Sequence, residues 1–213
     1  VSIPIEKIDL STEKVAWCYE SYDRAFAEFI GNSLGKGNVP IVFATPDRAR
    51  AQVARMLNLT RPEAVPLPYI SISQVGDVTY DMHRAMPFKA EYRNVNISDD
   101  AKTSYNIPTP LPYDISYQVD YWSRTRYEAM RARRNLLLEL GYLPKFIKVD
   151  LGDPFPTKIV ELQFNGVTDN SILESGGEER VLRWTYSFVI KGWLPRPAYE
   201  VYLIHKIYAD FGV

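Results

Sequence analysis

The sequence predicts an α+β fold, with a mostly antiparallel sheet and helices packed on one face of it. Three observations point there. From Tyr113 to Tyr121 the residues alternate strictly, with Tyr113, Ile115, Tyr117, Val119 and Tyr121 on one side and Asp114, Ser116, Gln118 and Asp120 on the other. That is the period of a strand with one face against a core. A second alternation, Leu182, Trp184, Tyr186, Phe188 and Ile190, lies inside Arg180–Trp193. The strand candidates are joined mainly by short turns, which favours antiparallel pairing, and helices then cover one face.

Taken in order, the first element is a helix from about Thr12 to Leu34, capped by Ser11 or Thr12. Val15, Tyr19, Tyr22, Phe26, Phe29 and Ile30 recur at helical spacing, and Gly31, Gly35 and Gly37 offer stops. Val39 to Ala44 reads as a short buried strand. Thr45-Pro46-Asp47 opens a second helix to about Leu57, with Thr45 as cap and Pro46 at the first helical position. Tyr69 to Val75 reads as a half-buried strand, with Ile70, Ile72 and Gln74 set against Ser71 and Ser73. From Gly76 to Thr109 no period is visible. So long a stretch inside a domain marks an interaction excursion.

After the strand through Tyr121, a helix from about Arg124 to Leu140 begins at Ser123 or Thr125. Thr125 and Glu128 have capping-box spacing, and Gly141 ends the helix. Lys145–Leu151, Thr157–Phe164 and Arg180–Trp193 are further strands. An acidic loop holding Asp169, Glu174, Glu178 and Glu179 joins the last two. Pro195 and Pro197 break the chain before a Tyr-rich terminal strand, Tyr199 to Tyr208. Residues 1–197 read as a single domain with an excursion at 76–109, and 198–213 as a C-terminal strand or arm.

Composition narrows the function classes. A length of 213 residues suits one sizeable core. A net charge of -1 argues against a chain that binds nucleic acid through overall basicity. A single cysteine, Cys18, rules out an intrachain disulfide, and with only His83 and His205 there is no Cys/His metal spacing. No apolar run reaches membrane-spanning length. The first residues, Val1-Ser2-Ile3-Pro4, lack the layout of a signal peptide. Fifteen tyrosines, beside 9 Phe and 4 Trp, supply more amphipathic ring surface than one core needs, which points to interfaces.

The sequence offers little that could carry catalysis. Cys18 lies in an apolar helix and reads as an inert core thiol. His83 and His205 read as ordinary residues, and no phosphate loop or nucleophile elbow occurs. Asp150, Glu161 and Gln163 loosely resemble the acidic hairpin of metal-dependent nucleases, but Gln163 stands where a lysine is usual. The helical arginines Arg124, Arg126, Arg131, Arg133 and Arg134 share no single narrow face. They fit a solvated surface paired with Glu128 and Glu139, phosphate contacts, or contacts across a subunit interface. The reading is therefore a structural protein and not an enzyme, with no catalytic, cofactor or metal residue assigned.

Several phrases resemble the tail-terminator (tail-completion) family of long-tailed, particularly contractile-tailed, bacteriophages. They are Pro110–Trp122, Val149–Gly152, Glu161-Leu162, Gly166–Asp169, Glu178–Arg183 and Gly192-Trp193, together with Pro40–Pro46 and Pro66–Ile72. The resemblance spans most of the chain outside residues 76–105. It implies a small α/β domain that forms a homo-hexameric ring at the tail–neck junction of the virion, assembled in the host cytoplasm. The ring would cap the tail tube, hold the end of the sheath and meet the neck (head-completion) protein, with DNA passing through its lumen. No cofactor or membrane is implied. Interface candidates are Tyr92, Tyr105, Arg124, Arg131, Arg134, Tyr199, Tyr202 and Tyr208. Asp169, Glu174, Glu178 and Glu179 are candidates for the lumen wall. A neck adaptor, a baseplate component, a metal-dependent nuclease and a small-molecule binding domain are the competing readings.

Overall fold

Strand β6 (Leu111–Ser123) is the spine of the fold. The computed structural model describes residues 18–35, 39–61, 65–85, 93–96, 103–141, 144–152, 155–171 and 181–202. β6 pairs along its whole length with β9 (Leu182–Leu194), placing Ile115 opposite Ile190, Tyr117 opposite Phe188, Val119 opposite Tyr186 and Tyr121 opposite Trp184. All eight side chains are buried. The two alternations read from the sequence thus face the same core, one strand beside the other.

The sheet extends on both sides of this pair. β1 (Ile41–Phe43), β2 (Tyr69–Gln74), β6, β9, β8 (Lys158–Asp169) and β7 (Lys145–Val149) lie in that order, and β3 (Thr79–Tyr80) also pairs with β6. The class is α+β, as expected, but the sheet is mixed. β1 runs parallel to β2 while the other pairs are antiparallel. The parallel edge follows from α2 (Pro46–Met56), which carries the chain back between β1 and β2; a crossover of this kind needs a helix or comparable length of chain over the sheet.

The helices do not share one face. α1 (Cys18–Ile30) lays Tyr22, Phe26, Phe29 and Ile30 on the face that presents Tyr117 and Phe188. The Phe26 ring sits 4.7 Å from Tyr117 and 5.4 Å from Phe188, centroid to centroid. α3 (Arg126–Leu140) joins it there through Ala129, Ala132 and Leu136, whose mostly small side chains permit close approach. α2 packs on the opposite face, where Ala49, Val53 and Ala54 meet Val42, Val65, Tyr69 and Trp122. This second layer overturns the half-buried reading of β2. Tyr69, Ile70, Ser71 and Ile72 are all buried because each face of the strand is covered.

Helix boundaries follow local chemistry. At α3 the Glu128 amide donates to Thr125 Oγ1 and the Thr125 amide donates to the Glu128 carboxylate, both at 3.2 Å. This is the expected capping box. At α2, Thr45 occupies the cap position in extended geometry, but its hydroxyl makes no capping bond, so Pro46 and the first-turn Asp47 open that helix. α1 runs on into a π-helical turn, Gly31–Gly35, in which Ser33 Oγ donates to the Phe29 carbonyl and Leu34 stays in the core. The expected caps Ser11 and Thr12 lie outside the described residues. β1 is less buried than expected: it is an edge strand and Phe43 is half exposed.

The stretch 76–109 is more regular than its composition suggests. It contains β3, β4 (Arg93–Asn96) and β5 (Thr103–Ile107). β5 lies between β4 and β10 (Tyr199–Tyr202) in a separate three-stranded antiparallel sheet. The excursion and the terminal strand therefore pair with each other. Ile107 and Ala198 join this sheet to the main core. Residues 203–208 of the expected terminal strand lie outside the described residues.

The core tyrosines make the fold sensitive to alkali. Burial pushes Tyr22, Tyr69 and Tyr121 up to about 12. Burial raises Tyr117 further, aided by its 2.6 Å hydrogen bond to Asp23, and burial also raises Tyr186. A phenol with a raised folded-state pKa stabilises fully below its unfolded value of about 10, and this contribution is lost as pH climbs through the folded value. The melting temperature should hold steady to about pH 10 and then fall steeply. Tyrosinate absorbance from these rings should appear together with loss of circular dichroism. Ionisation of the full tyrosine complement with the fold intact would contradict this burial.

Candidate assembly surfaces

The sheet face under α2 carries a polar cluster that the alternation did not reveal. Asp120 was expected on a solvated face, yet it is 1% exposed. Arg183 Nε donates to Asp120 Oδ1 at 3.0 Å, Thr185 Oγ1 donates to the same oxygen at 2.6 Å, and Gln118 Nε2 donates to Oδ2 at 3.0 Å. The Arg183 guanidinium lies 5.2 Å from the Trp122 ring centroid, and Trp122 Nε1 donates to the buried Ser71 hydroxyl. Burying a carboxylate is tolerable only when it is paired and fully hydrogen-bonded, and these donors meet that condition. One signal was available: Trp122 falls on the same face of β6, and a face ending in Trp is poorly suited to open solvent.

The same cluster ties down the mouth of the acidic loop. Asn170 Nδ2 donates to Thr185 Oγ1, the Asn170 amide donates to the Arg183 carbonyl, and the Arg183 amide donates to Ser171 Oγ. Asp169, at the end of β8, accepts from the amide and hydroxyl of Ser171. Glu174, Glu178 and Glu179 lie outside the described residues, so the structure fixes the stem of this loop and not its acidic tip.

At the far end of β6 and β9, Arg84 holds the turn after β3 against the sheet. Its guanidinium donates to Asp81, Asp114 and the Tyr113 and Gly192 carbonyls, and lies over the Trp193 ring. This guanidinium holds the Asp81 carboxyl below the usual range. Lys191 also pairs with Asp114. The Asp81…Arg84 spacing was the sequence signal, hidden in a stretch with no periodicity.

The remaining candidates separate. Arg131 and Arg134 are exposed on α3, and Arg124 precedes that helix. Tyr105, Tyr199 and Tyr202 belong to paired strands, with Glu200 opposite Tyr105, so β5 and β10 bring them to one small sheet. Tyr92 and Tyr208 lie outside the described residues. Of the two acids expected to pair with the helical arginines, Glu128 is used in the cap and also accepts from the Arg124 amide, and Glu139 pairs with Lys145 at 2.7 Å. Arg133 lies over the Trp184 ring.

The nuclease-like residues are not brought together. Glu161 is paired with Phe146 of β7, four positions before Asp150, which lies just past the strand and so about 13 Å away along extended chain. Asp150 accepts from the Gly152 amide, and Glu161 accepts from Gln163. Among the described residues no group of three or more His, Cys, Asp or Glu side chains could hold a metal. Burial raises the Cys18 thiol pKa. His83 is exposed in the Asp81 turn, and His205 lies outside the described residues.

The buried Asp120, Ser71 and Thr185 are thus used to secure the fold, while Tyr186 Oη is buried without a hydrogen-bond partner among the described residues. Residues 31–212 match the family of T4-like virus Myoviridae tail sheath stabilisers. The chain belongs to that family, and is a structural protein of a contractile phage tail that resides in the virion and contacts other tail proteins such as the sheath. No curated protein matches it. The sequence resemblance pointed to contractile tails correctly, but the matching family is the sheath stabilisers and not specifically the terminators. No helix among the described residues is long and apolar enough to cross a membrane.

The Asp120–Arg183 pair gives a direct test of how the second face is held. Arg183→Ala leaves a buried carboxylate without its cation and should cost about 3 kcal/mol in urea unfolding. Asp120→Ala combined with Arg183→Ala should cost less than the sum of the single changes, by about 1–3 kcal/mol. Strict additivity would show that the two side chains do not act as a pair.

Proposed function

We propose that the chain assembles as a homo-hexameric ring at the tail–neck junction. The ring caps the tail tube, ends tube and sheath polymerisation, and gives the neck protein a joining surface. The observation that supports this most is the match to a sheath-stabilising family over most of the chain. A protein that secures the end of a cyclic polymer does so most economically by repeating around the same axis, and a ring needs two different patches on each copy.

Arg131 and Arg134 on α3, Arg124 before it, and the small sheet with Tyr105, Tyr199 and Tyr202 supply such patches. Tyr92 and Tyr208, outside the described residues, are further interface candidates from the sequence. Asp169, Glu174, Glu178 and Glu179 line the lumen in this reading, where their charge repels DNA phosphate and keeps the passage free of adhesion. No cofactor takes part.

A cryo-EM map of the virion is the decisive measurement. Six copies should surround the head-proximal end of the tail, with loop 168–179 turned toward the lumen. Copies at the portal or baseplate would overturn the placement, and an outward-facing loop would overturn the lumen assignment.

A further inference from the structure

Helix α3 turns large apolar side chains outward. Its buried side is Ala129, Ala132 and Leu136, while Tyr127 is 77% exposed, Leu138 70%, Met130 48% and Leu137 45%. At about 100° per residue, Leu137, Met130, Arg134, Tyr127, Leu138 and Arg131 follow one another around roughly a third of the helix. Arg131 and Arg134 make no ion pair among the described residues, since Glu128 and Glu139 are engaged elsewhere. Large apolar side chains interleaved with arginine are the composition of a protein interface, and so continuous a patch is unusual on a surface that stays wet.

The chain also carries a surface of complementary form. Where α1 passes the β7 edge there is an open cleft of about 470 Å³, lined by Glu20, Glu28 and Asp150 together with Ala25, Arg24 and Lys148. Glu20 and Glu28 have no hydrogen-bond or ion-pair partner among the described residues. Asp150 accepts from the Gly152 amide. The cleft is concave and net acidic, whereas the α3 stripe is convex and cationic. The two share no residue, as head-to-tail closure of a ring requires.

We propose that the outer face of α3 in one copy docks in the α1–β7 cleft of the next, with Tyr127 and Leu138 entering the cleft and Arg131 and Arg134 meeting Glu20 and Glu28. This inference rests on the ring reading and names the contact that closes the ring.

The test uses the full chain and two charge-reversal variants, Arg131→Glu/Arg134→Glu and Glu20→Arg/Glu28→Arg, followed by native mass spectrometry. Each variant alone places like charges across the contact and should weaken ring formation at least tenfold. Mixed in equal amounts, they should recover rings with equal numbers of each, because every contact then joins opposite charges. If either variant does not fold, Tyr127→Ser/Leu138→Ser replaces it and should also weaken the ring at least tenfold. Variants that assemble like the wild type overturn the contact and leave the ring reading standing, and so does a mixture that fails to recover. A wild-type chain that stays monomeric at every concentration overturns the ring reading and the contact with it. DNA binding that depends on Arg131 and Arg134 while rings persist assigns α3 to nucleic acid and overturns the proposal.

Discussion

The pairing of β6 with β9 is the constraint on which the other elements depend. Two strands of 13 residues in unbroken register place five aromatic rings and three aliphatic side chains on one face of the sheet. They also bring Asp120 beside Arg183 and Thr185 on the other. A slip of one residue would exchange the faces, moving Asp120 under α1 and α3 and the rings toward α2. The register is also secured at both ends. Tyr22 Oη donates to the Trp193 carbonyl at 2.9 Å and lies 2.7 Å from the Trp193 amide nitrogen, with Arg84 nearby; Asn170 and Ser171 hold Arg183 at the other end. Gly192 is part of this lock, because a Cβ there would lie 3.2 Å from the Tyr22 ring.

A sheet covered on both faces near β2 and β6 explains how the chain divides its chemistry. The buried Asp120, Ser71 and Thr185 and the partly buried guanidinium of Arg183 are engaged in holding strands together. The groups left over are exposed side chains on α3 and on β1 and β7, the end strands of the main sheet among the described residues. Such leftovers suit a tail protein, whose work is to hold neighbours by extended surfaces.

Much of this was legible in the sequence. The alternations of β6 and β9, the Thr125–Glu128 cap and the core stripe of α1 depend on local periodicity and local hydrogen bonds, which a sequence displays directly. The parallel β1–β2 edge was harder to see, because its sign is the order strand, helix, strand spread over three elements. The strands inside 76–109 were missed because Arg93–Asn96 has no apolar alternation of its own and that of Thr103–Ile107 is only five residues long; each is organised by its partner. Among the candidate contact residues, the sequence picked out the arginines of α3 but passed over Tyr127, Met130, Leu137 and Leu138, since apolar residues in a helix read as core.

The sequence by itself determined the α+β class, the two long core strands, the lack of a disulfide within these 213 residues and the contractile-tail resemblance. All of these follow from residue types at short spacing. Only the tertiary structure decided which faces are covered. Exposure depends on what packs against a residue from far along the chain: α2 turns Asp120 and Ser71 into buried groups, while the absence of a covering layer among the described residues turns Tyr127 and Leu138 into surface. Burial is a property of pairs of elements, and no single segment encodes it.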